Sequence, residues 1–324
     1  MSRPSPPEPV ASLASAGLDE HDEADRNALR YGLKDRLADY RILVKPRITR
    51  MVVITAALGF FLAVRGGYAW DWLLLLGTLA GTALSCMAAS VFNQAIERRT
   101  DALMPRTAKR PLAAGRLPVA EAIALGGALT LAGQGLLCLF GSDLASGLAA
   151  FTIASYALLY TPMKRRSPIA LYVGAVPGAM PPLIGYAAVT GDIFAADAAG
   201  VWGVFAIMFF WQIPHFLAIG YMYRDDYAAA DLAMHAVRDP SGRSSFIHSI
   251  VNCLLLLIAG LIPTAVGAAG PWAFAVALLA GLAFLYLAVD WARRPGRPSA
   301  RRLFFASLIY LPLVLTAVVL DSHR

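Results

Sequence analysis

Residues 93–112 read NQAIERRTDALMPRTAKRPL, and within them an amide and two carboxylates recur every fourth position: Asn93, Glu97 and Asp101. On a continuous helix these three drift by only about 80° while climbing about 12 Å, so they line one face. The column is a set of hard oxygen donors suited to Mg²⁺. That ion typically takes one or two protein carboxylates and leaves the rest of its shell to water and substrate phosphate. Arg106, Lys109 and Arg110 follow at once, and guanidinium forks grip phosphate oxygens bidentately. Arg98 and Arg99 read instead as ordinary charges where a helix end meets the lipid headgroups.

A second acidic group lies in FFWQIPHFLAIGYMYRDDYAAAD, residues 209–231, where Asp225 and Asp226 fall at the same membrane level as the first column. Two acidic sites on one membrane face are arranged to hold one diphosphate between metal ions. Asp231 and Asp239 read as solvated loop acids. His215 precedes Asp225 by ten residues, about 15 Å deeper along a helix. A lone buried histidine is more often hydrogen-bonded packing than a ligand, but Pro214 beside it frees a carbonyl and points to a kinked, cavity-lining segment. A third basic loop, YTPMKRRSP at 160–168, lies on the same side. The span after it contains Pro177, Pro181 and Pro182 with Gly174, Gly178 and Gly185, which predicts a kinked, closely packed helix.

The elements that must position these residues are membrane spans. Of 324 residues, 58% are apolar and 15% charged, against about 45–50% and about 25% in soluble domains. A soluble globular enzyme is excluded. Apolar runs predict nine helices at 48–64, 72–96, 119–140, 144–160, 169–189, 200–223, 249–268, 271–291 and 303–320, each near the length that crosses a bilayer. The break between the seventh and eighth rests on Gly267, Gly270 and Pro271. Residues 1–40 read as a polar, disordered tail that is neither signal nor transit peptide, ending in an amphipathic segment, 28–40, at the membrane surface; residues 41–324 form the membrane domain. With the N-terminus placed in the cytoplasm, 26 of the 28 Lys and Arg fall on that side, as the positive-inside rule requires. The net charge of +7 is then a topology signal, and nucleic-acid binding is excluded. Cys86, Cys138 and Cys253 have no CxxC spacing and read as buried thiols packing as small hydrophobes.

Taken in order, these motifs resemble the UbiA-type membrane prenyltransferases. KPRIT at 45–49 resembles the entry to helix 1 in the branch that prenylates haem, and the run Asn93, Glu97, Asp101, Met104, Arg106, Thr107, Arg110, Pro111 matches the superfamily pattern. YTPMKRRSP, GAMPPLIGYAAVTG and above all WQIPHFLAI followed by YRDDYAAA resemble the branch that prenylates haem. Motifs carry the resemblance over about residues 40–240, and the span pattern carries it over the remainder. There are two departures. Glu97 stands where many relatives have Asp, and residues 231–236 read Asp-Leu-Ala-Met-His-Ala where the family commonly reads Gly-x-Pro-Met-x-Pro. The second bears on how that loop covers the site.

The resemblance implies an all-α bundle of nine transmembrane helices in a bacterial inner membrane. The N-terminus and acidic motifs would be cytoplasmic and the C-terminus opposite. It implies Mg²⁺ held by Asn93, Glu97, Asp101, Asp225 and Asp226, and farnesyl diphosphate bound with help from Arg106, Arg110, Lys164, Arg165 and Tyr223. A haem b vinyl group would attack the allylic cation and water would complete the product, haem O. Haem is then a substrate and not a cofactor, and a downstream haem-modifying enzyme is the implied partner. Lys45 and Arg47 would meet haem propionates or phosphate, and His215 would contact haem. Other acceptors of the same fold, 4-hydroxybenzoate or a chlorophyll precursor, are disfavoured by WQIPHF. A transporter is disfavoured because the acids sit at helix ends and not at midplane.

Overall fold

The structure, a computed structural model, describes residues 32–322; the expected tail therefore lies outside the described residues up to position 31. The described residues form helices and turns without a strand. Twelve helices follow in order: α1 (Leu33–Leu43), α2 (Pro46–Arg65), α3 (Trp72–Asp101), α4 (Val119–Phe140), α5 (Asp143–Met163), α6 (Ala170–Thr190), α7 (Ala196–Met222), α8 (Arg224–Ala229), α9 (His235–Arg238), α10 (Arg243–Ala265), α11 (Pro271–Arg293) and α12 (Arg297–Leu320). Among the described residues nine are long and apolar enough to cross a membrane: α2 to α7 and α10 to α12. All nine expected spans are present, including the α10–α11 break, where Gly267 takes φ 75° and Pro271 opens α11.

The differences lie at the ends. α3 runs five residues beyond the predicted 96, α10 starts at Arg243 and not 249, and α12 at Arg297 and not 303. Hydropathy falls where a helix leaves the hydrocarbon, but its backbone hydrogen bonds do not stop there. The 30 residues of α3 measure about 45 Å, longer than a hydrocarbon core of about 30 Å. Its last turns therefore project beyond the bilayer core with Glu97 and Asp101. α1 packs on this projecting end through Leu43, while Leu33, Leu37 and Ile42 are exposed. Buried Asp39 fixes α1, accepting two 2.8 Å bonds from Arg116.

α3 packs along α4, α2 along α6, and α7 with α10 and α12, on both of which α11 packs. The α7–α12 core is closed by Trp291, Phe284, Tyr310 and Leu256. Where α2 crosses α6 the backbones touch: a Cβ at Gly59 would collide with the Pro182 carbonyl, and one at Gly185 with that of Ala56. Membrane helices use small residues for such approach. Two spans are irregular, α6 as its prolines predict and α5 without such an expectation, while α7, expected to kink at Pro214, runs as one helix through it. α6 breaks at Met180 ahead of Pro181 and Pro182. α5 carries a π-helical turn, Ser155–Tyr160, just before Pro162. Of the thiols, Cys253 is buried but Cys138 is exposed on α4 and Cys86 is intermediate, so the expectation of three buried thiols is corrected. α4 turns position 138 outward from the bundle. No disulfide joins the described cysteines.

Candidate active site

The irregular spans and the overlong α3 surround one cavity of about 380 Å³. Its mouth is charged, lined by Lys45, Glu97, Asp101, Arg106, Arg110 and Lys164; its depth is apolar or weakly polar, reaching Thr82, Ala149, Thr152 and Ile184.

The helical column is realised. Asn93, Glu97 and Asp101 all face the cavity, and each is held by a different cation. Lys45 Nζ donates to Asn93 Oδ1 at 3.2 Å, Lys164 Nζ to Glu97 Oε1 at 2.8 Å, and Arg110 Nη1 to Asp101 Oδ2 at 2.7 Å. Asn93 and Asp101 are each 2% exposed. Asn93 Nδ2 donates to Thr161 Oγ1, and the Thr161 hydroxyl donates to the Tyr156 carbonyl, which also takes the Thr161 N–H in the π-turn. A π-turn inserts a residue and rephases the helix. Here it stacks Tyr156 and Tyr160 at 5.2 Å and lays the Lys164 ammonium 4.3 Å from the Tyr160 ring. Lys45 takes a left-handed backbone, φ 45° and ψ 63°. That conformation is costly for a residue with a Cβ and concentrates at functional sites. Burial, with the charges of Arg110 and Lys164, lowers its pKa to about 8. Burial works against the Lys164 ammonium too, but Tyr160 and Glu97 outweigh it and hold its pKa above the usual value.

The second motif behaves differently from the expectation. Asp225 points away from the cavity, 70% exposed, and accepts a 2.7 Å bond from Arg297. Asp226, half-buried, does not line the cavity either. The reason is geometric. The chain bends at Tyr223, between α7 and α8; beyond the bend Tyr227 lines the cavity, whereas Tyr223, four residues before it, is 47% exposed. They carry the Arg106 guanidinium, 4.5 Å above the Tyr227 ring and 5.6 Å from that of Tyr223. Tyr223 thus reaches the site through Arg106, and of the aspartates between the rings Asp225 is turned outward.

Three other expected residues lie off the cavity. Arg47 and Arg165 are exposed and off the cavity, each rotated away from the lysine that precedes it in sequence. His215 is also off the cavity: its Nδ1 lies 2.7 Å from Ser307 Oγ, and its ring is sandwiched between Trp211 and Phe304 at 4.9 and 5.0 Å. The sequence reading passed over Tyr156, Tyr160, Gln212, Tyr227 and His235, all of which line the cavity. The Tyr223-x-x-x-Tyr227 spacing was the available signal for one of them.

The donors suit a hard divalent ion shared with phosphate. Among the described residues no three His, Cys, Asp or Glu side chains converge to cage a metal alone. One amide and two carboxylates remain, the incomplete protein set that Mg²⁺ accepts when a phosphate supplies the rest.

Comparison with known proteins agrees with this architecture. The model of the UbiA prenyltransferase family matches residues 52–309. The protoheme IX farnesyltransferase of Solibacter usitatus is 41% identical over 292 residues, covering 88% of this chain and 99% of the relative. A solved structure of a digeranylgeranylglyceryl phosphate synthase superposes with a TM-score of 0.75 at 17% identity, over 89% of this chain and 98% of that one. A UbiA homologue from Archaeoglobus fulgidus, solved with DMAPP and Mg²⁺, superposes with a TM-score of 0.59 at 13% identity, over 87% and 99%.

Proposed function

The chain belongs to the UbiA prenyltransferase family, and from that premise we propose that it transfers the farnesyl group of farnesyl diphosphate to a vinyl group of haem b, giving haem O. The observation that carries this reading is the pairing of Asn93, Glu97 and Asp101 with Lys45, Lys164 and Arg110 at the charged mouth of an otherwise apolar cavity. Protoheme IX and the farnesyl group are those in the name of the protoheme IX farnesyltransferase relatives.

The diphosphate binds at the mouth and the isoprenoid tail lies inward. Asn93, Glu97 and Asp101 are the residues that hold Mg²⁺, which when bound neutralises the leaving group. As anionic phosphate arrives, Lys45, Lys164 and Arg110 are already beside its site and exchange their present oxygen partners for phosphate oxygens. Arg106, propped on Tyr227, adds a fourth cation. These donors act on charge that grows as the C1–O bond breaks and its electron pair leaves with diphosphate. The apolar walls keep water from the allylic cation. The vinyl terminus bonds to C1, and water adds to the cation left on the inner vinyl carbon and gives up a proton.

The protein is a multi-pass membrane protein. The basic face is the cytoplasmic one in a bacterial inner membrane, with the C-terminus opposite. The test is incubation of the purified protein with farnesyl diphosphate, haem b and Mg²⁺, followed by mass analysis for haem O and measurement of released diphosphate. Diphosphate release with 4-hydroxybenzoate and none with haem would overturn the acceptor; no release with any acceptor would overturn the reaction.

A further inference from the structure

The wall of the cavity opposite the Asn93 column is built by the loop in which this chain departs from its family. Residues 231–236 enter at Asp231, φ 51°, and are tied down by Ala233 N–H donating to the Lys164 carbonyl at 2.8 Å. His235 follows and lines the cavity. Its Nδ1 is engaged by Ser244 Oγ at 2.9 Å, whereas its Nε2 is buried and has no partner. Beside it, Ser245 also lines the cavity, is 0% exposed, and its hydroxyl is likewise without a partner.

Unpartnered buried polar atoms are costly and rare; at a cavity wall they mark where a ligand completes the bonding. The ring is also braced. His248 packs against it with centroids 4.6 Å apart, and Tyr172 fixes His248 Nδ1 at 2.7 Å while accepting from Asn252 at 2.9 Å. Around it the cavity is lined by Leu171, Phe216, Leu217 and Met234, apolar surfaces suited to the faces of a macrocycle.

We propose that His235 Nε2 is the axial ligand through which this chain holds the iron of its haem acceptor. The assignment rests on the haem reading above and replaces His215, whose ring is enclosed by Trp211, Phe304 and Ser307. In the tautomer with the proton on Nδ1, donated to Ser244 Oγ, Nε2 presents a lone pair. That is the outer-shell arrangement typical of metal-bound histidine. Burial, with the neighbouring His248, lowers the His235 pKa to about 4, so the ring is neutral and able to bind iron at physiological pH. The position is a variable one in the family run Gly-x-Pro-Met-x-Pro. His235 is therefore a device for acceptor affinity and orientation in this chain, and not part of the bond-making machinery.

The test uses the full-length protein in detergent with ferric and ferrous haem b as probe. The wild type should give the absorption and electron paramagnetic resonance signature of nitrogen-ligated haem. His235→Ala should shift that signature and weaken haem binding at least about tenfold, raise KM for haem with kcat little changed, and regain the ligated spectrum when free imidazole is added. The regained spectrum also shows that the variant is folded. His215→Ala should leave the spectrum as in the wild type. An unchanged spectrum in His235→Ala, with haem still bound, overturns the ligand and leaves the haem acceptor standing. A wild type that binds no haem but transfers its prenyl group to another acceptor overturns both.

Discussion

Replacing Asp101 by Asn and, separately, Asp225 by Asn separates two carboxylates that the sequence treats alike and the structure does not. The Asp101 side chain is 3% exposed and bonded at 2.7 Å to Arg110, itself 27% exposed. Unit charges about 4 Å apart interact by about 4 kcal/mol at an effective dielectric of about 20. Most of that is regained in the variant, because Asn sheds a buried charge and Arg110 turns to water. The expected loss of stability is about 1–2 kcal/mol. The effect on turnover is larger, since one of two carboxylates facing the diphosphate site is gone. Removing a comparable preorganised group costs about 10²–10³ in kcat. Asp225, by contrast, is 70% exposed and paired with an Arg297 that is 65% exposed, a pair worth about 0–1 kcal/mol. Its loss should leave kcat within about twofold. The assay is single-turnover diphosphate release at saturating farnesyl diphosphate and haem b, with thermal unfolding in detergent run in parallel. Equal losses in both variants, or an Asp101→Asn enzyme within tenfold of wild type, would refute the placement of the site.

Asp231 occupies a left-handed backbone with φ 51° where the family commonly has Gly. Asp231→Gly should therefore raise the unfolding free energy by about 0.5–1 kcal/mol without lowering kcat, a gain visible as a higher melting temperature. The pH dependence of stability should report His235. Its folded pKa, about 4, lies below the ordinary value of about 6.5, so its contribution is full above pH about 6.5 and is lost as pH falls towards about 4. His235→Gln should flatten that window of the stability curve by about 1–2 kcal/mol, a figure reduced for the ring's partial exposure. Gly185→Ala places a methyl against the Ala56 carbonyl and should cost at least about 2–3 kcal/mol, read as loss of the monodisperse detergent-solubilised form. Thr161→Val removes the hydroxyl that accepts from Asn93 Nδ2 at 3.0 Å and should lower activity about tenfold by letting the Asn93 amide rotate. A Thr161→Ser enzyme should retain it.

The nine spans and the Asn93–Glu97–Asp101 column were legible because both depend on a single uninterrupted period. α3 is a regular helix for 30 residues, so positions four apart stay on one face whatever the rest of the chain does. Legibility ends where the period is broken. At Tyr223 the bend between α7 and α8 resets the phase, and Tyr227 lines the cavity where the aspartates were expected. In α5 the π-turn rephases Tyr156, Tyr160 and Lys164; the basic loop could be read, but not the aromatic bed under it. His215 fails for another reason. Its partners, Ser307 and Phe304, lie about ninety residues away on α12, and no local pattern says which side of α7 they will cover. His235 sits on a four-residue helix, too short to have a period.

The corrected site also carries a consequence for how much metal it needs. Four cations line the mouth, Lys45, Arg106, Arg110 and Lys164, against two carboxylates, Glu97 and Asp101. The protein therefore meets its substrate with a surplus of positive charge. A diphosphate ester brings roughly three negative charges, which exceeds that surplus by about one, and a single divalent ion more than restores the balance. A second ion would need acidic residues of its own, since uncompensated charge in a low-dielectric cavity is costly. Of the aspartates from which the sequence would supply them, Asp225 is turned outward onto Arg297 and Asp226 does not line the cavity. On this charge count one divalent ion per bound diphosphate is the expected requirement, with the lysines and arginines supplying the remaining positive charge.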